Sequence, residues 1–168
     1  MSSMLLRDLT LRGYKAGDIG RITLSHANYY QLNWQFDASF EAARAKELAD
    51  FIEGFNKKSD GLWVSEYEGE FVGSIAVDGK ESETTDARLR WFIVEPEWQG
   101  KGIGQKLIEQ ALAFCRKQGY KKIVLWTFAG LDPARVIYER AGFRLVEATP
   151  RKIWGRSITE QKFELTLS

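Results

Sequence analysis

The residues with the clearest chemical potential form a glycine-rich run. Residues 99–104 read QGKGIG, which places Gly100, Gly102 and Gly104 within five positions. A strand-like apolar stretch precedes the run, and an amphipathic helix is predicted directly after it. Glycine lacks Cβ, and the first N–H groups of a helix have no intrahelical acceptor. Such a loop can therefore bind a phosphate through its main-chain amides.

Two common phosphate-binding loops do not fit this run. A Walker A loop needs Gly-Lys-Ser/Thr, and here Lys101 is followed by glycine. The dinucleotide fingerprint needs G-x-G-x-x-G and an acidic residue near the end of the next strand. The run reads G-x-G-x-G instead, and the next predicted strand ends in Trp126 and Thr127. The alternative to a phosphate-binding loop is a plain glycine-rich turn before a helix, which would bind no ligand.

The elements that position this loop can be predicted from periodicity and capping. The pattern indicates the order β-α-α-β-β-β-α-β-α-β-β, a mixed α/β (α+β) fold with a mostly antiparallel sheet and a β-α-β crossover. Helices are predicted to begin near Asp18, Asp37 and Asp132, and the last of them ends at Gly142. Strands are predicted at 5–12, 62–67, 71–77, 88–94, 122–127, 143–147 and 162–167, with a loop at 78–86.

Composition narrows the class of protein. The length of 168 residues, 44% of them hydrophobic, predicts one domain over 1–168. The net charge of +1 does not favour nucleic acid or an anionic membrane as a partner. With one cysteine and one histidine, an internal disulfide and a Cys- or His-rich metal site are not expected. The sequence has no signal-peptide pattern and no apolar run of about 18 residues, so we expect a cytoplasmic location.

Three motifs in chain order resemble the GNAT family of acetyl-CoA-dependent N-acetyltransferases. They are VEPEW at 94–98, Q-x-x-G-x-G at 99–104 and YERAGF at 138–143. The loop motif alone is weak evidence for this family. The order of the three motifs and of the predicted elements over about residues 62–147 is much more specific to it. Residues 26–41, 89–96 and 125–143 are also similar to the acetyltransferase half of proteins that fuse a MarR-type DNA-binding domain to a GNAT domain. We expect a stand-alone relative, without DNA binding.

The resemblance implies acetyl-CoA as cosubstrate and no metal. The amides of the loop would donate to the pyrophosphate, main-chain groups of Ile93 and Val94 would bind pantetheine, and an amide near Val94 would hold the oxyanion. Arg135 could equally be a solvated helix residue. The predicted cofactor-binding residues are Ile93, Val94, Gln99, Gly100, Lys101, Gly102, Ile103, Gly104, Gln105, Ala129 and Arg135.

Tyr138 falls on the family's tyrosine and is the predicted general acid. A neutral phenol, with a pKa of about 10, can protonate the departing thiolate at neutral pH. A core tyrosine on the apolar face of its helix is the alternative. The resemblance places the family's usual glutamate base near Arg88, which cannot accept a proton. Candidates are Glu95 acting through water, His26, Asp86, Glu83, or a water chain with no dedicated base.

The acceptor pocket is predicted around the first two helices. Aromatic residues between 29 and 36 could form a wall that suits a partly apolar or cationic acceptor. The predicted substrate-binding residues are His26, Tyr30, Trp34 and Arg90. Strand alternation places Arg90 and Trp91 on opposite faces, so we expect only one of them to reach the pocket.

The expected function is acetyl transfer from acetyl-CoA to a primary amine of a small molecule by direct attack, without a covalent acyl-enzyme. Two alternatives stay open. One is an acyl-CoA-binding or regulatory module without turnover, and the other is a peptide or protein N-acetyltransferase. Dimers are common in the family, so a homodimer is also an option.

Overall fold

In the part of the chain that the structure describes, seven strands form one sheet and four helices pack against it. The computed structural model describes residues 7–79 and 85–168. The strands are β1 Leu9–Arg12, β2 Gly61–Tyr67, β3 Glu70–Asp78, β4 Asp86–Val94, β5 Lys122–Phe128, β6 Arg144–Ile153 and β7 Arg156–Thr166. The helices are α1 Asp18–Trp34, α2 Ala38–Glu53, α3 Ile103–Gln118 and α4 Asp132–Ala141, with a short 3₁₀ turn at Pro96–Trp98.

The sheet has the order β1-β2-β3-β4-β5-β7-β6, and every described pair is antiparallel except β4 with β5. The parallel pair is connected through α3, which is the predicted β-α-β crossover. The predicted fold class is thus the one observed.

The helices cover both faces of the sheet. On one face α3 buries an apolar stripe that includes Leu107, Ile108 and Cys115, against strand residues such as Ile123 and Phe163. On the other face α1 and α2 pack Ile22, Leu48 and Phe51 against β2 to β4. Each fully buried side chain of this size contributes roughly 1.5–3 kcal/mol.

A gap opens between β4 and β5 beyond their first residues. The two strands pair only from Asp86–Lys122 to Leu89–Leu125, and no pairing follows. Further along, β4 has an irregularity opposite β3, where Trp91 adopts a left-handed backbone with φ of 47°. Because the strands diverge in the middle of the sheet, the fold leaves space there for ligands.

Several predicted boundaries differ from the observed ones. Helix α1 begins after Gly17, and Asp18 instead binds Arg12 at 2.7 Å and the Lys15 amide at 2.8 Å. Asp37 caps α2 as predicted, through the Ser39 amide at 3.0 Å. Residues 5–6 of the predicted first strand and 80–84 of the predicted loop lie outside the described residues.

The largest difference is the hairpin of β6 and β7. It extends over 144–166, whereas the sequence predicted two short strands at 143–147 and 162–167. Strand β6 is exposed along most of its length, so it lacks the apolar alternation that marks a half-buried strand. Among the helices of 7–79 and 85–168, none is both long and apolar enough to cross a membrane.

Candidate active site

Two cavities lie beside the gap between β4 and β5 and share part of their walls. The loop cavity, of about 410 Å³, is lined by the end of β4, the glycine-rich run and α4. The arginine cavity, of about 460 Å³, lies on the α1 and α2 side, and its wall includes Arg44, Arg88 and Arg90. Both cavities have the size of small-molecule sites. Three residues belong to the walls of both: Tyr30, Phe92 and Tyr138.

The glycine-rich run leads into α3 with two left-handed glycines. Gly100 has φ of 76°, and Gly102, the residue before the helix, has φ of 87°. A side chain at either position would strain the backbone. The Gln99 side chain donates a hydrogen bond to the Val94 carbonyl at 3.0 Å, which ties the run to the end of β4. The amides of the first turn of α3 thereby lie at the edge of the loop cavity.

Gly104 has a different role from the other two glycines. A Cβ at this position would lie 2.9 Å from Ile137 Cδ1 and 3.2 Å from Phe92 Cζ. The absence of a side chain therefore lets α3 approach α4 and β4 closely. The sequence predicted access for a phosphate here, whereas the contacts indicate close packing of the cavity walls.

The predicted cofactor residues fall into two groups. Those that line the loop cavity are Ile93, Val94, Gln99, Gly100, Gly102, Gly104 and Gln105. Lys101, Ile103, Ala129 and Arg135 are not in the described lining. The Ile103 side chain is buried in the core, and the Ala129 amide donates to Thr159 at 2.9 Å.

The arginine of α4 that lines the loop cavity is Arg140, and not the predicted Arg135. Arg135 instead bonds to Glu139 at 2.5 Å and lies 5.5 Å from the centre of the Phe163 ring. Trp98 and Phe92 also line this cavity without having been predicted. A helical wheel of α4 could have indicated Arg140, since it lies three residues after Ile137 on the cavity side.

Tyr138 is buried between the two cavities. Its ring lies 5.8 Å from that of Phe92 and 6.0 Å from that of Phe163, measured between centroids. Burial raises the pKa of the phenol well above its ordinary value of 10, so Tyr138 stays protonated at neutral pH. A neutral hydroxyl in a wall shared by two cavities can donate a proton to a ligand atom that reaches the junction.

The candidate general bases are less well placed for catalysis than Tyr138. Glu95 lies outside the described lining of both cavities, and its Oε1 is 3.6 Å from Arg21 Nη1. His26 lines the arginine cavity, where its Nδ1 donates to the Ile22 carbonyl at 2.8 Å. Burial lowers the pKa of His26 to about 4, so its Nε2 is an uncharged acceptor at neutral pH. Asp86 begins β4, and Glu83 is outside the described residues.

An aromatic cluster closes one side of the arginine cavity. Tyr30 lies within 6 Å of Phe36, Phe40 and Phe128, measured between ring centroids. Trp154, from the turn between β6 and β7, packs on Phe40 at 5.0 Å and lines the cavity. The predicted Trp34 packs edge-on against Phe128 at 4.9 Å and lies behind the described lining.

Both Arg90 and Trp91 line the arginine cavity, and the prediction that only one could do so is wrong. Strict alternation fails because β4 is irregular at Trp91, where φ is positive. Trp91 packs with Ile22 and Phe51 of the helices on the same side as Arg90. The irregularity therefore brings two consecutive side chains to one face.

Arg44 and Glu47 of α2 also belong to the arginine cavity and were not predicted. Glu47 accepts from Arg44 at 2.8 Å and from Arg90 at 2.5 Å. The signal in the sequence was the interruption of the apolar stripe of α2 by two charges, between Phe40 and Leu48. A charge within an apolar stripe has to find a buried partner or a cavity.

The described residues offer neither a metal site nor a reactive thiol. No group of three His, Cys, Asp or Glu side chains in 7–79 and 85–168 could hold a metal ion. Cys115 is fully buried on α3, and burial raises the pKa of its thiol to about 12, so it serves packing.

The chain is similar to several known proteins. A family model described as "Acetyltransferase (GNAT) family" matches residues 26–143. The uncharacterized N-acetyltransferase YjgM of Escherichia coli is 30% identical over 148 residues, which cover 86% of this chain and 84% of that protein. The N-acetylaspartate synthetase of Danio rerio is 32% identical over 128 residues, which cover 75% of this chain but only 45% of that protein.

A solved structure shares the fold. Spermidine N-acetyltransferase from Vibrio cholerae, in complex with CoA and spermine, superposes with a TM-score of 0.72 at 22% identity and covers 95% of this chain and 96% of that one. The family match confirms the predicted enzyme class, an acetyltransferase that uses acetyl-CoA; the likeness to MarR fusion proteins stays a prediction. The chain belongs to the acetyltransferase (GNAT) family.

Proposed function

We propose that the protein transfers the acetyl group of acetyl-CoA to the primary amine of a small molecule, with residues 1–168 acting as one domain. The observation that carries this proposal is the position of Tyr138 in the wall common to both cavities. In this proposal a thioester in the loop cavity and an amine in the arginine cavity would meet beside Tyr138. Holding both reactants at one junction removes much of the entropic cost of their encounter.

The reaction proceeds by direct attack in this proposal. The neutral amine forms a bond to the thioester carbonyl carbon, and a main-chain amide near Val94 holds the oxyanion. The carbon–sulfur bond then breaks, the Tyr138 hydroxyl donates its proton to the thiolate, and Tyr138 regains a proton from water before the next turnover. The proton of the amine leaves through water in this proposal. Glu95 pairs with Arg21, and His26, with a pKa lowered to about 4, accepts a hydrogen bond more readily than it takes up a proton.

The loop cavity would hold the coenzyme through backbone groups. Amides of the first turn of α3 donate to the pyrophosphate, and Arg140 lies on the same wall to neutralise phosphate charge. Beyond Leu89 the side of β4 that faces β5 is unpaired. The main-chain groups of Ile93 and Val94 that point to that side, apart from the Val94 carbonyl that accepts from Gln99, would bind pantetheine. The apolar wall of Ala134 and Ile137 completes the channel.

A non-catalytic acyl-CoA-binding module is the second candidate, and the absence of a well-placed base among the described residues favours it. The test measures CoA release from acetyl-CoA over a panel of acidic, neutral and basic amines and short peptides, with acetyl-CoA binding measured separately by calorimetry. Release with at least one small amine supports the proposal. Binding of acetyl-CoA without thiol release for any amine would overturn it in favour of the second candidate.

The names of the relatives point to acceptors of opposite charge. One relative is named for N-acetylaspartate, and one structural neighbour is a spermidine N-acetyltransferase that holds spermine. The family alone therefore does not select between an anionic and a cationic acceptor. The charges that line the arginine cavity are the feature of this chain that bears on that choice.

A further inference from the structure

The wall of the arginine cavity concentrates positive charge. Its described lining carries four arginines and two glutamates, although the whole chain has a net charge of only +1. Its one histidine, His26, is uncharged at neutral pH and does not change this balance. The charged lining residues are Arg44, Glu47, Arg88, Arg90, Arg151 and Glu160.

Two of these arginines are held by carboxylates of the protein. Arg90 bonds to Glu47 at 2.5 Å and to Asp78 at 3.3 Å, and its guanidinium lies 4.2 Å from the centre of the Trp91 ring. Arg151 pairs with Glu160 at 3.2 Å on the rim. These two arginines are thus fixed in position and largely neutralised.

The positive charge of Arg44 is less fully balanced by carboxylates than the charges of Arg90 and Arg151. Its carboxylate contact is Glu47, at 2.8 Å, and Glu47 is already shared with Arg90. The Arg44 Nε is buried, and no described group accepts a hydrogen bond from it. Burial lowers the pKa of Arg44, and the charges of Arg90 and Arg88 lower it further. A cation in this setting is stabilised by one more negative group in the cavity.

The surroundings of Arg44 favour a planar anion. Its guanidinium lies 5.5 Å from the centre of the Phe40 ring and 5.7 Å from that of Trp154, so aromatic faces hold it in place. A guanidinium fixed in this way can donate two parallel hydrogen bonds to a carboxylate. A polyamine in the same place would bring further positive charge against the arginines.

We propose that the acceptor is an amine that carries a carboxylate, as in a small amino acid, with the carboxylate bound by Arg44 and the amine directed to the junction at Tyr138. This inference rests on the proposed function only for the fate of the amine. The binding of the carboxylate is a separate property of the cavity. Arg44 is then a specificity-determining residue.

The first experiment compares acceptors in the CoA-release assay. The kcat/KM for aspartate is compared with those for aspartate dimethyl ester and for spermidine, using the full chain and saturating acetyl-CoA. We expect kcat/KM for aspartate to exceed that for the ester by about 10- to 100-fold, the range for loss of a hydrogen-bonded charge. Equal rates for acid and ester, or a preference for spermidine, would overturn the inference while leaving acetyl transfer intact.

The second experiment does not depend on turnover. Succinate, a dicarboxylate without an amine, is titrated into the complex with CoA by calorimetry. Arg44→Gln should weaken succinate binding about 10- to 100-fold, and Arg44→Lys should restore part of it. Arg116→Gln, on the exposed last turn of α3, is the matched control and should change nothing.

These outcomes separate the two proposals. If no amine releases CoA but succinate binds in a manner that needs Arg44, acetyl transfer fails and the carboxylate site stands. If succinate does not bind, or binds equally to the wild type and to Arg44→Gln of unchanged melting temperature, the inference fails.

Discussion

The two cavities of this protein are built in different ways. The loop cavity is lined mainly by two continuous stretches, the end of β4 through the start of α3 and the helix α4. The arginine cavity collects side chains from α1, α2 and β4 to β7, far apart in the chain. A site made from backbone groups in one stretch leaves a local motif in the sequence, whereas a site assembled from distant side chains does not.

The cavities also differ in charge. Arg140 is the one charged residue in the described lining of the loop cavity, while six charged residues line the arginine cavity. A coenzyme common to a whole family can be held by amides and apolar contacts. The acceptor differs between members, so its recognition depends on side chains that each sequence is free to change. Tyr138, which belongs to both cavities, is where this contrast can be tested most strongly.

Replacing Tyr138 by phenylalanine should have the largest effect. The change removes the proton donor at the junction and keeps the ring contacts with Phe92 and Phe163. We expect kcat to fall about 10²- to 10⁴-fold, the usual contribution of a general acid, with acetyl-CoA affinity changed less than about threefold. Stopped-flow or steady-state CoA release and calorimetry measure the two quantities.

Tyr14→Phe is the matched control for this substitution, because Tyr14 is exposed and outside both described cavity walls. Its kinetics should equal those of the wild type. An unchanged kcat in Tyr138→Phe would remove the tyrosine from the mechanism and leave it as a packing residue.

The arginine cavity should make folding stability depend on pH through His26. The pKa of His26 is about 4 in the folded protein and about 6.5 in the unfolded chain. As pH falls below 6.5 the unfolded state binds the proton first, so stability decreases toward pH 4 and is constant above 6.5. The expected loss between pH 6.5 and 4.5 is about 2–3 kcal/mol.

Urea unfolding at several pH values measures this loss. His26 is the single histidine of the chain, so His26→Gln removes the histidine contribution entirely. The variant should lose less stability than the wild type between pH 6.5 and 4.5. Parallel stability curves for the two proteins would show that His26 titrates normally in the folded state.

The same contrast explains what the sequence could predict. The loop, the stripe of α3 and the end of α4 at Gly142 depend on local spacing, and the structure has them where expected. The irregularity at Trp91 depends on how β4 fits between β3 and the helices, so no local pattern indicated it. The hairpin of β6 and β7 was underestimated because β6 buries little, although its turn supplies Trp154 to the arginine cavity.

Two glycines allow backbone strain to be separated from ligand contact. Gly100 and Gly119 both have a positive φ, of 76° and 84°, and a Cβ at either would meet no other atom within 4 Å. Changing each to alanine should cost about 1–2 kcal/mol of stability. Only Gly100→Ala should also raise the KM for acetyl-CoA, by about 3- to 10-fold, because its new methyl group faces the proposed pyrophosphate site.

Thermal melting and steady-state kinetics measure both effects in the two glycine variants. Gly119, at the end of α3, is outside both described cavity walls and serves as the control. An equal change of KM in both variants would mean that general loss of stability, and not contact with the coenzyme, is responsible.

The smallest effect should distinguish two arginines of α4. Arg140 lines the loop cavity, whereas Arg135 bonds to Glu139 and lies over Phe163. Both carry the same charge on the same helix, so a general electrostatic attraction of the coenzyme would respond to either change equally. We expect Arg140→Gln to raise the KM for acetyl-CoA about 2- to 10-fold, in a salt-dependent way, and Arg135→Gln to change it less than about twofold. Equal effects would show that the loop cavity attracts the coenzyme through the summed charge of α4, whereas an effect of Arg140 alone would identify a direct contact with a phosphate.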